Sequence, residues 1–150
     1  MKLFFAKLWK LLRLPKNFQL FIMRFLQDQF LIGVTGIFLN ENQEILVFKH
    51  SYRQVSWSLP GGYLKAREHP TEGLEREIKE ESGFIVSADE RLNTRTDRDS
   101  ARLDIRYLGK FIGGEFSPTA EVTGYGLFSF ENLPLIPKNQ LFLIQQALEK

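Results

Sequence analysis

The spacing of apolar residues changes twice along the chain, and each change marks a different kind of element. From Leu3 to Leu14 and from Asn17 to Gln29 apolar side chains return at helical spacing, with Lys7, Lys10 and Arg13 set between them. This predicts short amphipathic helices broken at Pro15, because the residue before a proline is pushed away from helical geometry. Beyond Phe30 the pattern becomes strand-like. Leu31–Leu39 is β-branched and apolar, Asn40-Glu41-Asn42 reads as a turn, and Glu44–Lys49 alternates again, so a hairpin is expected. A loop at Pro60-Gly61-Gly62 leads into a helical stretch, Pro70–Ser82, with Gly83 placed for a left-handed C-terminal cap. Strands are predicted at Phe84–Ser87, Leu103–Ile112 and Gly124–Phe130, and a final helix at Lys138–Leu148. The polar, charged stretch Arg91–Arg102 reads as a loop. Strands interspersed with few helices predict an α/β domain with a mixed sheet over residues 30–150, preceded by a helical extension over residues 1–29.

Composition narrows the function classes. A chain of 150 residues with 43% hydrophobic content and 14 phenylalanines can bury a core as one domain. It has no cysteine, which removes disulfides, zinc thiolates and thiol nucleophiles and suits a cytoplasmic setting. The net charge of +2 is unevenly placed. Lys2, Lys7, Lys10, Arg13, Lys16 and Arg24 against Asp28 make the first thirty residues +5 and leave −3 for the rest, so no specific nucleic-acid surface is expected. Charges interrupt the N-terminal apolar pattern too often for a membrane span, and no signal-peptide cleavage pattern follows. Residues 1–29 are expected to pack on their own domain or in a dimer contact; the competing reading is a peripheral helix on an anionic membrane.

Glu77, Glu80 and Glu81 stand at i, i+3 and i+4, so a helix collects them within about 100° of arc. Like charges so placed cost about 0.2–0.5 kcal/mol per pair, and the last turn of a helix disfavours anions. A hard divalent cation would offset this; so would salt bridges to Arg76 and Lys79 on a solvated face, and the spacing alone favours the latter.

The surrounding residues change that balance. Gly62, Glu68, Arg76-Glu77-Ile78, Glu80-Glu81 and Gly83-Phe84 occur at the offsets of the Nudix box, and every specified position is filled. The segment therefore resembles the MutT-like Nudix hydrolase family. The resemblance implies a Nudix-type α/β/α sandwich with a mixed central sheet, and Mg2+, or Mn2+ in its place, as cofactor. It implies Glu77, Glu80 and Glu81 as metal ligands, with Glu80 also a catalytic carboxylate, Glu68 as a support for the loop or a ligand to a further ion, and Arg76 as the catalytic-site salt-bridge partner that orients a glutamate. The activity implied is attack of water on phosphorus in a nucleoside diphosphate linked to another moiety: a nucleoside triphosphate, nucleotide sugar or ADP-ribose. Two alternatives remain: a noncatalytic Nudix-like binding module, and a membrane-surface enzyme acting on a lipid-linked pyrophosphate. One departure is Arg67, where many members carry glycine before the first box glutamate.

Outside the box, the resemblance places a further ligand or catalytic base at Glu121, with Glu115 a weaker candidate. Arg53 is a candidate for substrate phosphate, and Gly61 and Gly62 for close backbone approach to substrate. Trp57 is expected in the core, and Arg91, Arg95, Arg98 and Arg102 on a mixed-charge surface. The sequence marks of coenzyme A pyrophosphatases, of many ADP-ribose pyrophosphatases and of many dinucleoside-polyphosphate hydrolases are absent.

Overall fold

The computed structural model describes residues 14–149. The chain divides into two compact units, 1–30 and 31–150. In the first, helix α1 spans Lys16–Leu26, with Phe18 and Phe21 stacked one turn apart. The proposed helix Leu3–Leu14 lies outside the described residues except for Leu14.

The second unit is built on a mixed sheet. Strand β1 (Leu31–Leu39) lies parallel to β6 (Arg102–Gly114) over its whole length, and β6 pairs antiparallel with β5 (Phe84–Asp97). The other edge of β1 pairs with β4 (Gly61–Tyr63) and, at Leu39, with β2 (Ile45–His50). Strand β2 in turn carries β3 (Trp57–Ser58) and β7 (Val122–Phe128).

Alternation along the strands divides the core between the two faces of the sheet. Val34, Phe38, Leu46 and Phe48 pack with Leu74 and Ile78 of helix α2 (Pro70–Ser82). Ile37, Ile45 and Val47, the intervening residues, pack with Leu143, Ile144 and Ala147 of helix α3 (Lys138–Leu148). Helices thus cover both faces, which explains why β1 and β2 are apolar almost throughout. This is the expected α/β/α sandwich.

Two expectations need correction. Residues 91–97 are not a loop: β5 continues to Asp97 and only Arg98–Ala101 turn. This is the edge strand of the sheet, exposed from 91 to 97 except at Leu92, so it needs no apolar face; backbone pairing to β6 holds it, and hydrophobic alternation is missing. Gly61 and Gly62 lie in a strand rather than a tight turn, and neither has a positive φ. Trp57 is half-buried against the α3-side core, edge-on to Phe128 at 5.7 Å, as its core assignment requires.

Candidate functional site

Helix α2 begins at His69, whose backbone N–H donates to the Glu72 carboxylate at 3.0 Å, and Pro70 occupies the first turn, where its missing N–H costs nothing. It ends at Gly83 with φ 77°. Gly73 faces the loop before the helix so closely that a Cβ there would strike Leu64 and come within 3.0 Å of Glu68. The helix is thereby pressed onto the loop carrying Glu68.

Arg76 is the hub of that junction. Its guanidinium donates to Glu68 through Nε and, at 2.9 Å, Nη2; to Glu77 at 2.6 Å and Glu80 at 2.9 Å through Nη1; and to the Tyr63 carbonyl at 3.2 Å. The resemblance implied one oriented glutamate, and the structure shows three. Hydrogen bonds from Arg76 and from the Lys65 backbone hold the Glu68 carboxyl down at about 2, and the hydrogen bonds to Glu68 and then Glu77 push the Arg76 guanidinium further up against the effect of burial. Glu80 is the most open of the set and meets Lys65 at 3.4 Å.

Glu81 behaves differently. Its Oε2 is buried with no hydrogen-bond partner, and burial, followed by the neighbouring charges of Glu77 and Glu121, pushes its carboxyl up to about 7. Glu121, on the bend before β7, reaches Glu81 because that loop is tied to the end of α2. Ser117 N–H donates to the Ser82 carbonyl at 2.8 Å and the Thr119 hydroxyl to the Glu81 carbonyl at 3.2 Å. Neither Ser82 nor Thr119 was singled out from the sequence; a hydroxyl next to a helix end is too common to signal a tether. Glu115 is not among the charges that act on Glu81, and its backbone carbonyl packs at Gly83.

Arg53 also acts on Glu81, in the opposite sense to the carboxylates, and donates to the buried Ser58 hydroxyl at 2.8 Å. Gly62 belongs to the site for a steric reason: a Cβ there would lie 2.5 Å from Glu77 Cγ. Arg67 has φ 73°, the left-handed geometry that explains why glycine is common at its position.

The donor set fits a hard cation. An unpartnered buried carboxylate oxygen beside Glu77, Glu80 and Glu121 lacks only positive charge, and all the groups offer oxygen. As arranged, with Arg76 drawing Glu77 and Glu80 toward itself, no three of the described acidic or histidine side chains converge closely enough to form a closed metal cage.

A second concave region adjoins the carboxylates through Gly61, Gly62 and Tyr63. It is a cavity of about 470 Å³ whose walls include Tyr52, Arg53, Arg95, Arg102, Asp104 and Arg106. Arg95 and Arg102 lie, as the sequence pattern suggested, among mixed charges, but on the walls of a cleft that Asp97 and Asp104 also line. Asp104 and Arg106 escaped notice, although the alternation Arg102, Asp104, Arg106 in a strand was visible.

Fold and site together define an α/β/α sandwich that presents a carboxylate-bearing helix beside a basic cleft. Residues 29–146 match the NUDIX domain model, and the chain belongs to that family. It is 31% identical over 108 residues to an ADP-ribose pyrophosphatase of Methanocaldococcus jannaschii, covering 69% of this chain and 64% of the relative. It is 30% identical over 83 residues to the 8-oxo-dGDP phosphatase of Mus musculus, covering 54% of this chain and 25% of that protein. The chain thus spans about a quarter of the mouse relative and just under two thirds of the archaeal one. Among solved structures, an ADP-ribose pyrophosphatase from Streptococcus suis superposes with a TM-score of 0.67 at 25% identity, covering 81% of this chain and 94% of that one. A NUDIX hydrolase from Nitrosomonas europaea superposes with a TM-score of 0.73 at 20% identity, covering 82% and 72%, and shares the fold.

Proposed function

We propose that this chain is a divalent-metal-dependent pyrophosphohydrolase acting on a nucleoside diphosphate linked to a further group, with ADP-ribose among the compounds to test first. The observation that carries the reading is the buried, unpartnered Oε2 of Glu81, surrounded by Glu77, Glu80 and Glu121 at the end of one helix. A helix built only for solubility would not bury a bare carboxylate oxygen, because desolvating a charge costs several kcal/mol, on the order of the stability of a domain. The ADP-ribose pyrophosphatases among the relatives support the substrate class.

In this reading Glu77, Glu80 and Glu81 hold Mg2+ or Mn2+, and Glu68 keeps Arg76 in place or supports a further ion. The metal, when bound, supplies charge that neutralises phosphoryl oxygens and lowers the pKa of water. Glu121 accepts a proton from the attacking water as its oxygen bonds to phosphorus. The anhydride P–O bond then breaks, and the electron pair leaves with the departing phosphate. Arg53 steadies a phosphate oxygen, and Gly61 and Gly62 admit the substrate close to the backbone.

The test is hydrolysis of a nucleotide panel with magnesium, with a Glu81→Gln variant alongside. Turnover should require the metal, stop on chelation and fall by at least about 10³-fold in the variant. Unchanged magnesium-dependent turnover in Glu81→Gln would remove the assignment, and full activity in chelator would remove the metal.

A second reading concerns α1, whose wheel sets Phe18, Phe21, Ile22, Phe25 and Leu26 on one side and Lys16, Asn17 and Arg24 on the other. The same enzyme would then rest on anionic lipid, where a lipid-linked pyrophosphate is a candidate substrate. Full-length protein should float with phosphatidylserine vesicles while a chain starting at Gln29 stays behind; equal failure to float ends this reading.

A further inference from the structure

We propose that the cavity beside Gly61 and Gly62 is a second anion site, which selects pyrophosphate substrates carrying an additional phosphate monoester away from the bond that is cleaved. The proposal rests on the hydrolase reading above for its substrate class, and on the cavity alone for the anion.

Arg102, Asp104 and Arg106 alternate along β6, so all three side chains leave one face of the sheet. Asp104 accepts the Thr35 hydroxyl at 3.0 Å, Arg102 Nη2 at 3.0 Å and Arg106 Nε at 3.1 Å. One carboxylate thus serves two guanidinium groups, leaving the group of three with a net positive charge although Arg106 is only 8% exposed. A buried pair kept for stability alone would balance its charges, since an uncompensated buried charge is strongly unfavourable.

Arg102 is also held in place by its neighbours. Arg102 lies flat over Gly33, where a Cβ would stand 2.6 Å from its guanidinium, and its Cζ sits 5.0 Å over the Tyr63 ring. Its Nε is buried without a partner. Arg53, which serves the phosphate at the cleavage site, and Arg95 join the walls; among the described residues Asp97 is the only other acidic one lining them, so the remaining three arginines and two aspartates still leave the cavity net positive. A phosphate monoester near neutral pH carries close to two negative charges and offers the oxygen geometry that paired guanidinium forks match. At about 470 Å³ the space exceeds a phosphate and leaves room for the sugar or nucleoside that bears it.

The site is mechanically joined to the carboxylates. Tyr63 carries Arg102 on its ring and gives its carbonyl to Arg76 at 3.2 Å, so the residue under the second anion is fixed by the hub of the carboxylate helix. A substrate held at both places would be positioned along its length, and the extra phosphate would improve kcat/KM.

The experiment compares ADP-ribose with ADP-ribose 2′-phosphate on the full chain with magnesium, measuring kcat/KM for each. The phosphorylated compound should be preferred by about tenfold or more, with that ratio falling toward one in Arg106→Gln and Arg102→Gln and partly retained in Arg106→Lys. A ratio of one or less in the unmodified protein, or a ratio unmoved by the substitutions, overturns the proposal while leaving the hydrolase reading intact. If neither compound is hydrolysed, ADP-ribose is not the substrate, the nucleotide panel decides the hydrolase reading, and calorimetry without metal still decides the cavity. Adenosine 2′,5′-bisphosphate should bind about tenfold tighter than 5′-AMP, and that difference should vanish in folded Arg106→Gln; equal binding by the unmodified protein overturns the proposal. Arg106→Lys, which keeps the charge beside Asp104, serves if Arg106→Gln does not fold.

Discussion

At the scale of single residues, the site depends as much on absent side chains as on charged ones. Gly62 has ordinary strand geometry, so its need for glycine comes from Glu77, whose Cγ would stand 2.5 Å from an added Cβ. Gly62→Ala should therefore displace Glu77 and cut kcat by about 10²-fold, the effect of moving a positioning group by about an ångström. Overpacking should cost a further 1–3 kcal/mol, roughly, in urea unfolding. Loss of stability with kcat preserved would show that Glu77 can move aside without consequence. The requirement for glycine at this position was legible from the box pattern, but its cause was not, because sequence does not reveal which side chain will face a strand glycine. Arg67 is the opposite case: a departure from the family pattern was visible, and φ 73° supplies its meaning.

At the scale of elements, helices α2 and α3 and strand β1 occupy the ranges their apolar periodicity indicates, because each presents a face to the core. The distal half of β5 was illegible for the converse reason. It is an edge strand whose residues 93–97 are all exposed, so its side chains carry no periodic burial to read. The same blindness hid half of the basic cavity, since Arg102, Asp104 and Arg106 acquire a common purpose only when β6 is known to run beside β1. The loop before β7 was likewise unreadable: its union with α2 rests on Ser117 and Thr119 bonding to carbonyls at the helix end. Thr119→Val removes the hydroxyl that donates to Glu81 and accepts from Val122 N–H at 3.1 Å. It should cost about 1–2 kcal/mol of stability and lower kcat about tenfold by loosening Glu121, an effect of positioning. Activity unchanged at a temperature where the variant remains folded would separate the tether from catalysis.

At the scale of the whole molecule, two buried groups set opposing dependences of stability on pH. His50 is 4% exposed; burial, then the charge of Arg53, lowers it to about 4, partly offset by a weak hydrogen-bonding interaction with the Glu121 backbone. Because the unfolded chain takes up this proton near 6.5 and the folded chain only near 4, His50 removes stability as pH falls through that interval. Glu81 runs the other way. Its folded carboxyl takes a proton near 7 and its unfolded one near 4.5, so Glu81 adds stability as pH falls between those values. Each slope is at most about 1.4 kcal/mol per pH unit, and where the windows overlap they largely cancel. In chelator, the urea midpoint of the unmodified protein should therefore change little between pH 6.5 and 4.5. Glu81→Gln deletes one side of the balance, so its midpoint should be higher than the parent's at pH 7 and decline steadily on acidification, while His50→Gln should become more stable over the same range. Parallel profiles for the parent and Glu81→Gln would show that Glu81 is already charged in the folded chain at pH 6, and would require a cationic partner for its buried Oε2 other than a metal.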